Sequence, residues 1–336
     1  MDLMLTMVGT AASVPTAARG TSAALLARGG RRWLVDCGEG TQRQLIRSGL
    51  GLVDVDLVLL THLHGDHYLG LPGLLKSYGL RDRERPLTVV GPRGLTALFA
   101  ALRPVFGRAP FPLELLEVEG GTVWRGEGAR LDAVATRHSV ASLGYALVED
   151  ERPGAFDPVA ARALGVPEGP LFGRLQRGES IPVDGGATVH PGQVMGPARA
   201  GRRIVVSGDT EPCDSLLEAA RGADVLVHEA TFLDEDRARA RQTRHTTARE
   251  AGALAREADV GLLVLTHLSG RCMPREVRAE AGAEFPRVVV PRDFDQVEVP
   301  FPERGVPELH PARPGPWPRV AQATSEEAAT VTANDL

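Results

Sequence analysis

Lysine is almost missing from this 336-residue chain: Lys76 stands alone, and nearly all positive charge is arginine. Guanidinium groups suit bidentate contact with phosphate, and genome composition accounts for the same bias. Cysteine is scarce as well. Cys37, Cys213 and Cys272 are odd in number and include no C-x-x-C pair. That suggests neither a cysteine zinc site nor a disulfide framework and fits a reducing cytoplasm. The N-terminus lacks a basic segment followed by a long apolar core, so no signal peptide is expected. No apolar run is long enough to cross a membrane. Excess positive charge is also lacking, with a formal net charge of −5. If the chain binds nucleic acid, it does so through local patches rather than a globally basic surface. The content of 43% hydrophobic and 24% charged residues is ordinary for a globular protein, and the length allows a sizeable core.

What is present is punctuated regularly. Apolar runs read as strands at 3–8, 23–27, 32–35, 55–60 and 87–90, with a hairpin signal at Gly29-Gly30. Helices are expected at 41–47, 69–80 and 94–102. Four consecutive strands are expected at 115–118, 122–125, 131–135 and 144–148. From about 150 to 196 glycine and proline dominate and apolar periodicity is weak. This stretch is too long for an ordinary loop and reads as an inserted arm. Strands at 204–206, 225–227, 262–265 and 288–290 then alternate with helices at 216–221, 246–258 and 274–284. Interleaved helices and strands argue for an α/β body over residues 1–300. Residues 301–336, rich first in proline and then in Ser, Thr and Glu, are expected to be a poorly ordered tail.

The densest chemistry is Thr61-His62-Leu63-His64-Gly65-Asp66-His67, an H-x-H-x-D-H pattern directly after a strand. In an extended segment His62 and His64 share one face, and Gly65 lets the chain turn back to present Asp66 and His67. Imidazole and carboxylate suit zinc. Further strands run into His138, Asp209 and His267, and α/β sheets build sites at the C-terminal ends of their strands. One consistent assignment gives a first ion His62, His64 and His138. A second takes Asp66, His67 and His267, and Asp209 bridges the two. Two such ions share a hydroxide and clamp a phosphoryl displacement. Asp66 is also a candidate to orient that hydroxide or accept its proton.

These motifs, with residues 35–42, 70–75, Gly208-Asp209-Thr210 and Thr266-His267-Leu268-Ser269, resemble the metallo-β-lactamase superfamily. Within it, residues 1–300 or so are similar to the ribonuclease Z family of tRNA 3′-processing endonucleases. The resemblance implies a four-layer αββα fold with an inserted flexible arm. It implies two Zn²⁺ per subunit, a homodimer, no membrane association and a cytoplasmic location. The implied activity is removal of 3′ trailers from pre-tRNA by metal-activated hydroxide attack after the discriminator nucleotide. In His228-Glu229-Ala230-Thr231 the resemblance makes Glu229 the partner that orients His245, the acid for the leaving oxygen. Residues 164–178 resemble the exosite that grips tRNA, with Gly169 and Pro170 shaping the backbone and Arg174 and Arg177 meeting phosphate. Arg19 matches a loop that senses the tRNA 3′ end, although Ala17 and Gly20 depart from the usual pattern, which implies weak rejection of precursors already bearing CCA. A small-molecule phosphodiesterase or arylsulfatase-type hydrolase on the same site is the alternative; it leaves the arm without a purpose.

Overall fold

The computed structural model describes residues 1–312. β1 (Leu3–Gly9), β2 (Ala23–Arg28) and β3 (Arg31–Val35) form an antiparallel meander, turned between β2 and β3 at Gly29-Gly30. The chain then passes through α1 (Thr41–Arg47), β4 (Leu57–Leu59), α2 (Gly65–Tyr68), α3 (Leu71–Leu80), β5 (Leu87–Gly91), α4 (Leu95–Phe106) and β6 (Leu113–Glu117). β3 to β6 pair in parallel, and the long crossovers that parallel pairing requires carry the helices. β7 (Gly121–Gly126), β8 (Ala129–Ala135) and β9 (Leu143–Glu149) begin a second sheet.

The inserted stretch follows, with α5 (Pro158–Ala163), α6 (Pro170–Gln176), β10 (Ile181–Pro182) and β11 (Thr188–Val189). The second sheet resumes with β12 (Arg203–Val206), α7 (Asp214–Ala220), β13 (Val225–Glu229), α8 (Arg237–Thr243), α9 (Ala248–Glu257), β14 (Leu262–Thr266), α10 (Pro274–Glu284) and β15 (Val288–Val289). β16 (Gln296–Glu298) and β17 (Glu308–His310) return to the first sheet beside β1. The strand orders are β17-β16-β1-β2-β3-β4-β5-β6 and β15-β14-β13-β12-β9-β8-β7.

Side chains alternate across each strand. On β13, Val225 and Val227 enter the core between the sheets, while Leu226 joins the core under α7, α9 and α10. Leu5, Trp33 and Leu59 from the first sheet meet Leu131, Tyr145 and Val264 from the second. On the opposite outer face Leu45, Leu74 and Phe99 from α1, α3 and α4 cover Val58 and Val89. Two facing sheets with helices outside each make the four-layer αββα arrangement the sequence led us to expect.

Several local expectations need correction. The segment 301–336 begins with order, because β17 pairs with β16 through Val297–Leu309; the expectation for residues 313–336 lies outside the described residues. The arm is more than a loop. Phe156 and Met195 bridge at its base, and Ala161, Val166, Leu175, Ile181, Val189 and Val194 form a small apolar core made of arm residues alone. Gly65 does not adopt a left-handed conformation; it starts α2, so Asp66 and His67 are presented by a helical turn. Arg202, which a local reading of Arg202-Arg203 would put on a solvated face, is buried. It clasps Glu149 in a bidentate pair at 2.7 and 2.8 Å and donates to the Val299 carbonyl, with Arg28 on the same carboxylate. Burial alone would raise the Glu149 pKa; the two guanidinium groups hold it at about 2. Among the described residues no helix is long and apolar enough to cross a membrane.

Candidate active site

β4, β8, β12, β13 and β14 all end on the same side of the facing sheets, and every candidate ligand lies at or just beyond those ends. The approach is close. A Cβ on Gly70 would sit 2.0 Å from the Gly38 carbonyl oxygen, and a Cβ on Gly208 would sit 2.7 Å from Thr61 Cβ. Glycine at these positions lets the turn after β3 and the turn before Asp209 close on the histidine loop.

The seven expected ligand residues converge. His62 Nε2 lies 3.0 Å from His64 Nδ1, and His138 Nε2 lies 3.3 Å from the same atom. His67 Nε2 and His267 Nε2 lie 3.5 and 3.3 Å from Asp66 Oδ2. Asp209 Oδ2 sits between the two groups, 3.7 Å from His62 Nε2 and 3.3 Å from both His67 Nε2 and His267 Nε2. His62 with His64 and His138, and Asp66 with His67 and His267, are each compact enough to hold a cation. So are His62 with His67 and Asp209, and His138 with Asp209 and His245.

The donor set fits divalent cations on its own chemistry. Burial lowers the pKa values of His62, His64 and His138, leaving neutral imidazoles with lone pairs facing one another. Burial also opposes charge on His67, yet Asp209 and Asp36 overcome it and hold that group well above the ordinary range. The buried His67 Nε2 has no hydrogen-bond partner among the described residues. A cation there satisfies an atom that otherwise demands a proton.

The outer nitrogens are fixed by residues that the sequence reading passed over. His67 donates from Nδ1 to Asp36 Oδ2 at 2.8 Å. Thr61 donates its hydroxyl to the same oxygen at 3.0 Å and accepts from His62 Nδ1 at 3.1 Å. On the other side His267 Nδ1 donates to Thr231 Oγ1 at 2.9 Å, and Thr231 donates to Glu229 Oε2 at 2.6 Å. His138 Nδ1 donates to the Arg244 carbonyl at 2.9 Å. Each threonine thus relays an imidazole to a buried carboxylate and fixes which nitrogen faces inward. Asp36, Arg244, His267 and Ser13 all have φ between 55° and 59°. Backbone strain of this kind in non-glycine residues gathers at functional sites, and here Ser13 uses it to donate its amide to Asp66 Oδ2 at 2.8 Å. Asp36 lies in the stretch 35–42 that carried the family resemblance, but nothing in the sequence assigned it a contact with His67.

Asp36→Asn is therefore expected to weaken metal affinity about 10- to 100-fold while keeping the fold, since asparagine tolerates positive φ. Competition against a chromophoric chelator measures this, and unchanged affinity would show that the Asp36 contact is dispensable.

Glu229 and His245 also meet. His245 Nδ1 donates to Glu229 Oε1 at 2.8 Å, and the Thr210 amide donates to the same oxygen at 2.8 Å. Burial works against a charged His245, but Glu229 and then Asp209 raise its pKa to about 9. Its ring stacks on His267 with centroids 5.5 Å apart.

The expected substrate contacts lie elsewhere. Arg174 and Arg177 are exposed on the arm and face Glu179 at 2.7 and 3.7 Å; exposed pairs of this kind are weak enough for a phosphate to displace. Gly169 holds φ 131° ahead of Pro170, which starts α6. Arg19 is half-buried and donates from Nη1 to Thr10 Oγ1 and the Pro291 carbonyl. Cys272 is buried against the Thr231 carbonyl and serves packing.

The metallo-beta-lactamase superfamily model matches residues 16–267. Ribonuclease Z of Gemmatimonas aurantiaca is 47% identical over 308 residues, covering 90% of this chain and 98% of that protein. Ribonuclease Z of Methanosarcina acetivorans is 43% identical over 304 residues, 89% of this chain and 99% of that protein. Among solved structures, the short form of human tRNase Z superposes with a TM-score of 0.64 at 26% identity, covering 89% of this chain and 99% of the other.

Proposed function

The chain belongs to the ribonuclease Z family of the metallo-β-lactamase superfamily, and from that premise we propose that it is a zinc-dependent endoribonuclease that removes 3′ trailers from pre-tRNA. It cuts after the discriminator nucleotide and leaves a 3′-hydroxyl.

The observation that carries the choice of substrate is the arm. It has its own small core and exposed arginines, and it is rooted between Glu149 and Arg203. Leu143, at the other end of β9, donates its amide to the Thr61 carbonyl beside the cluster. Six residues of strand separate the arm's root from the site by roughly 20 Å. An arm so rooted suits holding a large substrate by its folded part, in a homodimer where the site it serves belongs to the second copy. Recognition of the tRNA body then rests on backbone shape rather than base sequence.

His62, His64 and His138 would hold one zinc ion, Asp66, His67 and His267 the other, and Asp209 both. Bound there, the two ions would lower the pKa of a water to about 7 and offset charge on the phosphate. Asp66, with Ser13 on Oδ2, orients the attacking water from its remaining lone pairs. As the bond from phosphorus to the ribose 3′-oxygen breaks, that oxygen needs a proton. His245 supplies it from Nε2, because Nδ1 is committed to Glu229 and because Glu229 keeps the ring charged at neutral pH. The reading goes with a cytoplasmic location, where free cysteines persist.

Removing residues 157–194 is expected to lower kcat/KM for pre-tRNA about a hundredfold, since remote binding energy is lost, while hydrolysis of bis(p-nitrophenyl) phosphate stays unchanged. Undiminished pre-tRNA cleavage by the deletion variant, or an intact protein that cuts only the small diester, would favour a small-molecule phosphodiesterase instead.

A further inference from the structure

Two clefts open at the rim of the site, on the side of His267 and away from the arm's root. One, of about 750 Å³, is lined by Arg19, Arg275, Arg278 and Arg292 with small and apolar residues, and no carboxylate lines it among the described residues. Among the described residues Arg275 pairs with the loose, exposed Glu276 at 3.6 Å and with no other carboxylate. The second, of about 1020 Å³, shares Arg19 as a wall and adds Arg43, Arg47 and Phe294, with Glu39 and the buried Asp293 as its carboxylates. Phe294 is half-buried and held at φ 76°, and the Arg47 guanidinium lies 5.5 Å from its ring centroid. A bulky residue at positive φ is a costly conformation, and its effect here is to set an aromatic face into an arginine-rich groove.

Both clefts are tied to the reacting centre. The loop from Ser13 to Gly20 starts with its amide on Asp66 Oδ2 and ends with the Gly20 amide on Asp293 Oδ2, at 2.8 and 2.6 Å. Ala12, just before it, donates to the carbonyl of Leu268, the neighbour of His267. A chain leaving the site along this loop meets the arginines within a few residues.

We infer that these two clefts bind the single-stranded 3′ trailer of the precursor, with Arg275, Arg278 and Arg292 on its phosphates and Phe294 stacking a base. The inference rests on the endoribonuclease reading and names what lies beyond the scissile bond. Clefts of this size admit one strand, not a duplex. The acceptor stem is paired up to the discriminator, so the trailer is the single-stranded RNA that reaches the rim. Guanidinium groups tracking a backbone beside an aromatic platform are the usual means of holding a strand without reading its sequence.

The test compares two precursors that differ only in trailer length, one nucleotide against twelve. In the double variant Arg275→Ser/Arg278→Ser, both positions being exposed, kcat/KM on the long trailer is expected to fall about tenfold and its salt dependence to flatten by about 1.4 in log–log slope. Cleavage of the one-nucleotide trailer should be unchanged. Equal loss on both precursors would mean that the arginines hold the tRNA body, and loss on neither would mean that they hold no RNA; either result overturns the inference. A wild-type protein that cuts neither precursor overturns the endoribonuclease reading itself, whereas one that cuts both without the length-dependent loss overturns the trailer site alone.

Discussion

Asp209→Ala is expected to empty both metal positions at once and to reduce cleavage at least about 10³-fold, since the cations contribute several kcal/mol of charge stabilisation. One oxygen of this carboxylate lies within 3.7 Å of three inward imidazole nitrogens drawn from both groups. Without it five imidazoles and Asp66 face the same small volume, and one negative charge is left to offset two dications. Metal analysis by mass spectrometry, paired with single-turnover cleavage, reads both effects. Retention of two equivalents of metal in the variant would show that Asp209 bridges nothing. Circular dichroism should remain native, because the sheets around the site are held by the apolar layers and not by this carboxylate.

His245→Ala should separate chemistry from metal binding. Loss of a general acid costs about 10²- to 10⁴-fold in kcat, with metal content unchanged. Glu229→Gln sharpens the test through pH. In the wild type Glu229, helped by Asp209, lifts His245 to about 9 from an ordinary 6.5, and an acid must be protonated to act. Activity therefore falls as pH rises through the His245 pKa. Removing the negative partner moves that limb downward, so the variant should lose more activity at pH 8 than at pH 6. Bound cations would pull the limb in the same direction in both proteins and leave the difference between them in place. A matching pH limb in the two proteins, or metal loss in His245→Ala equal to that in Asp209→Ala, would place His245 among the ligands instead, a role its distance of 4.0 Å from Asp209 Oδ2 would allow.

The parts legible from sequence were those set by local spacing or strand direction. The histidine loop is dense, and His138, Asp209 and His267 each follow an apolar strand, so their meeting follows once the strands lie side by side in the same direction. Layer order came from the family resemblance, and the structure bears it out where β13 feeds apolar residues to both faces. The roles of Asp36, Thr61, Thr231 and Arg244 were not legible in the same way. Each acts through a contact made by tertiary closure, such as the Arg244 carbonyl reaching His138 across 106 residues. A one-residue change in how those loops cross would leave the motifs intact and the hydrogen bonds absent. Arg202 was illegible for a related reason: an arginine beside another arginine reads as solvated until Glu149, on an adjacent strand, supplies its partner. The arm's small core was hidden because its six buried residues are spread over 34 positions with no single period. Likewise β17 is three residues long among prolines and is a strand only because β16 offers an edge.

The most direct test is a zinc titration of metal-stripped protein, read as cleavage of an end-labelled pre-tRNA. The account predicts no cleavage without metal, a rise that saturates at two equivalents per chain, and a product that ends in a 3′-hydroxyl at the discriminator nucleotide. Full activity in excess chelator, saturation at one equivalent, or a product ending elsewhere would contradict it.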